Sequence, residues 1–149
     1  MKRVGTLCRR RETVVADKNQ SVLKTAQVMA DHDIGAVPVL DGDRLVGIFT
    51  ERDIMSRVVA AEKDPATTTV GSVMSTTLVT ADVTDTHEAC LQRMQQQRVR
   101  HLLVLNSGRL AGIVSLRDLQ ATELSEKDEA INLLNAYVRY IPVDWTAKK

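Results

Sequence analysis

The sequence predicts an α/β (α+β) fold made of two copies of one β-α-β-β-α unit, packed as a pseudo-two-fold pair and followed by a C-terminal helix. Three observations carry this prediction. The chain repeats itself without a gap when Gly47 is laid on Gly112. Val39-Leu40 then falls on Val104-Leu105, Arg44-Leu45 on Arg109-Leu110, and Arg52-Asp53 on Arg117-Asp118. In each copy two apolar runs flank a turn, Asp41-Gly42-Asp43 in the first and Asn106-Ser107-Gly108 in the second. Ahead of each pair of runs lies a stretch of helical spacing.

The elements follow in one order, twice. Thr13–Ala16 and Leu78–Ala81 are short β-favouring segments. In the first copy Val22, Ala26 and Met29 recur at the spacing of one helix face. In the second, Asp85 and Glu88 have the spacing of a capping box at a helix start. Ala36–Leu40 and Leu45–Phe49 read as a hairpin, because Asp-Gly between apolar runs favours the turns that match strand twist. His101–Leu105 and Leu110–Val114 repeat it. A last helix starts near Thr50 and near Ser115. Upstream, Val14 falls on Val79, Ala16-Asp17 on Ala81-Asp82 and Met29 on Met94, and one further shift of a residue pairs Val4-Gly5 with Val70-Gly71.

This organisation gives a first repeat over 1–60, a linker over 61–69 (AEKDPATTT), a second repeat over 70–122 and a helical tail over 123–149. A unit of roughly 50 residues is marginal alone, so the two copies are expected to bury their sheet faces against each other. That pairing places two equivalent clefts where the strands end. In the tail, Ile131, Leu134 and Val138 follow helical spacing beside Tyr137 and Tyr140, with Ser125 and Asp128 as a cap and Pro142 as a stop. Such a helix packs on its own domain or serves as a dimer or partner contact.

Composition narrows the function. The 149 residues are 44% hydrophobic and 26% charged, with a net charge of +1, which argues against a nucleic-acid binder. Aromatics are 3%, and apart from Phe49 they lie near the C-terminal end, so no base-stacking platform is expected. No apolar run approaches the roughly 20 residues of a membrane span, and no signal peptide is expected. Cys8 and Cys90 read as free thiols of a cytoplasmic protein. Arg9-Arg10-Arg11 reads as a solvated face. His32, His87 and His101 show no metal-ligand spacing with either cysteine, and Met29, Met74 and Met94 fit core positions. There is no nucleophile elbow, P-loop or Cys–His pairing, so no enzyme, catalytic cofactor or metal is expected.

The chemistry concentrates at the two strand-to-helix junctions, Gly47-Ile48-Phe49-Thr50-Glu51-Arg52-Asp53 and Gly112-Ile113-Val114-Ser115-Leu116-Arg117-Asp118. A helix N-terminus presents backbone N–H groups that suit phosphate, and Thr50 and Ser115 add a hydroxyl. Asp53 and Asp118, one turn on, are placed to accept from ribose hydroxyls, as an acidic residue does in dinucleotide folds. Gly47 and Gly112 clear room for a ligand or for another backbone. Thr-x-x-Asp and Ser-x-x-Asp also spell a helix cap. Their recurrence at matching places, each behind Gly-Ile, favours a ligand role, and cap and clamp can coexist on one helix start.

These segments, GIFTERD after DIGAVPVLDGDRLV and GIVSLRD after RVRHLLVLNSGRLA, resemble the signature of cystathionine-β-synthase-type (CBS) domains across residues 4–122. The resemblance implies a Bateman module: a regulatory, energy-sensing pair that binds AMP, ADP or ATP, less often S-adenosylmethionine or NAD, and commonly dimerises. For the first site it implies adenine contacts from Val14, Val15, Gly35, Ala36, Val37 and Pro38, with Thr50 and Asp53 on ribose or phosphate. For the second it implies Val79, Thr80, Arg100, His101, Leu102 and Leu103, with Ser115 and Asp118. Arg100 and His101 are candidate phosphate contacts, Arg by a forked charge-assisted bond. The first site lacks them, carries Asp33, and draws on Arg52, Arg117 or a side chain from across the pseudo-dyad. The second site is therefore expected to hold phosphate more strongly. Leu103 departs from the family pattern, which has proline there, as at Pro38. The expected output runs through an unidentified regulated protein or a homodimer. The alternative is an interaction module whose clefts stay empty.

Overall fold

Glycine and its neighbours set the hairpins around which each repeat folds. β2 (Ala36–Asp41) and β3 (Arg44–Thr50) turn through Gly42 at φ 62°, and β5 (His101–Asn106) and β6 (Arg109–Ser115) turn through Ser107 and Gly108 at φ 51° and 79°. Positive φ at both central residues is what a type I′ turn demands, and a positive φ at the first alone suits glycine in a II′ turn. The computed structural model describes residues 2–139, and the chain divides between Ser115 and Leu116 into two units.

The first unit holds both sheets. β1 (Ala16–Asp17) runs parallel to β2, and β4 (Thr80–Asp82) parallel to β5, giving orders β1-β2-β3 and β4-β5-β6. The registers match residue for residue: Val39 faces Gly47 with a bulge before Leu40, and Val104 faces Gly112 with a bulge before Leu105. α2 (Val22–Asp31) is capped by Ser21, whose hydroxyl accepts from Lys24 N–H at 3.1 Å, and it buries Val22, Thr25 and Met29. Thr25 takes the place expected of Ala26 and satisfies its hydroxyl on Ser21 O at 2.9 Å. α5 (His87–Gln97) buries Cys90 and Met94. The expected Asp85–Glu88 box does not form. Thr86 is the cap, accepting from Ala89 N–H at 3.2 Å, while the Asp85 carboxylate accepts from Asp82 N–H and Arg93. The first strand of each repeat also begins later than its β-favouring segment, at Ala16 and Thr80.

The short helices that lead into the repeats are exchanged. α1 (Gly5–Arg9) opens the first repeat but is tied to the second, through Val4 N–H to Asp85 O at 2.9 Å and Gly5 N–H to Val83 O at 3.0 Å. α4 (Val70–Val73) opens the second repeat but is tied to the first, through Val70 N–H to Gln20 O at 2.9 Å and Gly71 N–H to Lys18 O at 2.8 Å. Val70 and Val73 accordingly complete the core of the first repeat with Val22, Met29, Val39, Phe49 and Val58. Burial of these apolar side chains, each worth about 1.5–3 kcal/mol, is what holds the two repeats to each other's lead-in segments.

After β3 the chain forms α3 (Glu51–Asp53) and then a π-helical stretch, Ile54–Val59, rather than a plain α-helix. The second unit is α6, one continuous helix over Leu116–Arg139. No glycine or proline interrupts it, so Ser125 starts nothing. Leu119 is buried, whereas Leu124, Ile131, Leu133 and Leu134 are exposed. Tyr140, Pro142 and Trp145 lie outside the described residues. Among the described residues no helix is long and apolar enough to cross a membrane.

Candidate functional site

The β2–β3 register assembles the first junction. Ala36 pairs with Thr50, Val37 with Phe49 and Pro38 with Ile48, and Glu51 N–H donates to Gly35 O at 2.9 Å. Gly35, Ala36 and Thr50 thus meet at one end of the sheet. Val14 and Val15 enter β1 beside them, Val14 packed against the core and Val15 exposed. Ala36, Val37 and Pro38 are buried. Arg52 is exposed and Asp53 is buried, at 7% exposure.

The capping reading of Thr-x-x-Asp is realised here in full. Thr50 Oγ1 accepts from Asp53 N–H at 3.2 Å, and Asp53 Oδ2 accepts from Thr50 N–H at 3.0 Å. With Glu51 N–H on Gly35 O, two amides of the first turn are already engaged, fewer open donors than a bare helix start presents. The cap uses one carboxylate oxygen. The other, Oδ1, lies 3.7 Å from Nε of Arg57, a partly exposed side chain whose Nη1 donates to Val73 O at 3.3 Å and Met74 O at 2.8 Å. Arg57 was absent from the expected contacts. Its spacing of four from Asp53 on a helix was the available signal.

Gly47 and Gly112 make room for protein. A Cβ at Gly47 would strike Met74 and come within 2.9 Å of Ser75 O, and one at Gly112 would come within 2.9 Å of Cys8 Sγ. Ser75 and Ile48 exchange two backbone hydrogen bonds of 2.9 Å across this contact.

At the second junction His101 pairs with Ser115, Leu102 with Val114 and Leu103 with Ile113. Leu102 and Leu103 are buried, His101 and Thr80 half-buried and Arg100 exposed. Leu103 N–H donates to Val79 O at 3.1 Å. Pro38 has no N–H, so the first repeat has no counterpart of this bond at Val14. Arg117 and Asp118 lie in the first turn of α6, in the second unit. Beside Thr80, Arg93 Nη1 bridges Thr80 O and Asp85 Oδ2, both at 2.9 Å. The Asp82 amide and then Arg93 hold the Asp85 carboxyl below its ordinary value, and hydrogen bonds from Thr84 lower that of Asp82. Burial raises the Cys90 thiol to about 11. Hollows of about 240 and 410 Å³ flank the second repeat, the first against Gly5, Cys8 and Val83 and the second against Thr80, Asp85 and Arg93. Neither includes Thr50 or Asp53. Among the described residues no group of three or more His, Cys, Asp or Glu is placed to hold a metal ion.

Two β-α-β-β-α repeats with matched junctions define a tandem module of the CBS-pair class. A family model for the CBS domain matches residues 4–60 and 70–122. The chain belongs to the CBS-domain family. It is 34% identical over 124 residues to the CBS domain-containing protein YhcV of Bacillus subtilis, covering 83% of this chain and 88% of that one. A CBS-domain containing protein from Agrobacterium tumefaciens superposes with a TM-score of 0.75 at 31% identity, covering 82% and 99% of the two chains. A CBS domain protein from Pyrobaculum aerophilum, solved in complex with AMP, superposes with a TM-score of 0.70 at 25% identity over 78% and 89%.

Proposed function

We propose that this chain is a regulatory module that senses an adenosine-containing ligand and passes the result to a partner protein or to its own assembly as a homodimer. AMP, ADP or ATP rank ahead of S-adenosylmethionine and NAD. The observation that carries the reading is Asp53: a carboxylate buried at 7% exposure whose cap engages Oδ2 and leaves Oδ1, 3.7 Å from Arg57 Nε, as a further acceptor. In this reading Oδ1 takes the ribose hydroxyls, backbone groups of Val14, Val15 and Gly35 to Pro38 meet the base, and exposed Arg52 reaches phosphate. The AMP complex of the Pyrobaculum aerophilum relative supports it. In the second repeat Val79, Thr80, Arg100, His101, Leu102, Leu103 and Ser115 carry the same proposal, with Arg117 and Asp118 entering from the sequence pattern alone. The module is a binder rather than an enzyme, and the shift it transmits is bounded by the ligand's differential affinity for two states.

Thermal unfolding with AMP, ADP, ATP, S-adenosylmethionine and NAD tests the reading. A ligand at 100 times its Kd should stabilise the fold by about 2.7 kcal/mol, and Asp53→Ala should remove the part of that gain that comes from the first site. A second reading, an interaction module with empty clefts, is favoured by the two first-turn amides already engaged within the protein. Stabilisation by none of the five compounds would establish that second reading.

A further inference from the structure

Arg57 is the side chain through which the buried acid of the first junction meets the segment leading into the second repeat. Its Nε faces Asp53 Oδ1 at 3.7 Å, and its Nη1 donates to the carbonyls of Val73 and Met74, at the end of α4. That end is not a loose loop. Met74 lies over Gly47, and Ser75 is hydrogen-bonded in both directions to Ile48 on β3. One guanidinium therefore touches the carboxylate oxygen that the cap leaves over and the carbonyls that fix where the chain departs for β4. The π-helical winding of Ile54–Val59 contains it, a departure from α geometry of the kind found often at functional sites. The repeat register puts Thr122 at the corresponding place in the second copy, and its hydroxyl is turned back onto Asp118 O of its own helix at 3.1 Å.

We propose that Arg57 is a positioning residue that holds Asp53 Oδ1 for a ribose and couples occupancy of the first junction to the 73–75 segment. This deepens the reading of Asp53 given above and rests on it. A ribose hydroxyl donating to Oδ1 shares that oxygen with Arg57, as the lone pairs of a carboxylate oxygen allow. The guanidinium, already forked toward Val73 and Met74, then settles further onto those carbonyls. Ligand binding in the first repeat thereby tightens the lead-in segment of the second.

The test uses the full chain with AMP as the probe. Calorimetry gives the affinity, and amide exchange of the 70–78 region is followed with and without AMP. In the native protein AMP should slow exchange at Ser75. Arg57→Met keeps the stem and removes the charge and donors. It should weaken AMP binding about fivefold, a modest effect because the arginine is half exposed, and should erase the AMP-dependent slowing at Ser75. Arg57→Lys, which keeps the charge without the fork, should recover part of the affinity and not the slowing, and it serves as the second variant if Arg57→Met misfolds. Native affinity together with native slowing in both variants overturns this inference alone. Equal AMP binding by the native protein and Asp53→Ala removes the reading of the site, and the inference with it.

Discussion

The two repeats share a register down to the bulge after Val39 and Val104, yet they differ at polar positions around the junctions. Pro38 in the first corresponds to Leu103 in the second, Arg57 to Thr122, Gln20 to Asp85 and Val28 to Arg93. The apolar and glycine positions that fix the strands are held in common. The positions that decide which backbone groups are free and where charges sit are not. In the second repeat Leu103 N–H closes the Val79 carbonyl into the sheet and Arg93 ties β4 to Asp85. In the first, Pro38 leaves Val14 outside that ladder and a guanidinium sits beside the buried acid instead. One framework thus carries two sheet ends braced by different contacts.

Four tests break or sharpen this comparison. The largest effect belongs to the core. Phe49 and Val114 occupy equivalent buried places, and Phe49→Ala should cost about 3–5 kcal/mol in urea unfolding against about 2 for Val114→Ala, because more volume is emptied. Next, Gly47→Ala places a Cβ against Met74 and a backbone oxygen, whereas Gly112→Ala meets side-chain atoms of Cys8 alone inside 3.4 Å. The first should cost about 2 kcal/mol and the second distinctly less. Third, Thr50→Ala removes the hydroxyl of the box and should cost about 1 kcal/mol, with faster amide exchange at Asp53.

The smallest effect is a pH dependence. The Asp85 carboxyl is held below its ordinary value of 3.8, so its stabilisation is complete above that pH and is lost as pH falls through the lower folded value. Asp85→Gln gives the second repeat the residue of the first. The variant should be less stable than the native protein at neutral pH, and the gap should close in acid below 3.8. Chemical unfolding at a series of pH values reads both limbs.

The hairpins were legible because Asp-Gly and Asn-Ser-Gly state their turn chemistry locally, and the matching glycines locate the bulged register. Helix starts were less so. At Asp85 the carboxylate accepts from the Asp82 amide and the Arg93 side chain rather than from a first-turn amide of α5, and Thr86 takes the cap. At Ser125 a cap pattern lies inside a helix that nothing breaks. The exchange of α1 and α4 left no local mark, since a Val-Gly pair says that a close apolar contact exists but not with which partner. At the first junction the sequence located Thr50, Asp53 and Gly35 together. It did not reveal that the room at Gly47 belongs to Met74 and Ser75, a contact set by a segment arriving from beyond the linker. Nor did it reveal Arg57, whose carbonyl partners are distant in sequence.

The exchange of the lead-in helices makes the pair an interlocked object. A nick anywhere in the stretch between Val59 and Val70 would leave two fragments, each holding the missing valines of the other. Val70 and Val73 would travel with the fragment that does not need them, and Val4 with the other. Neither could close its interior in isolation, yet the two together retain every contact and would reassemble as a complementing pair.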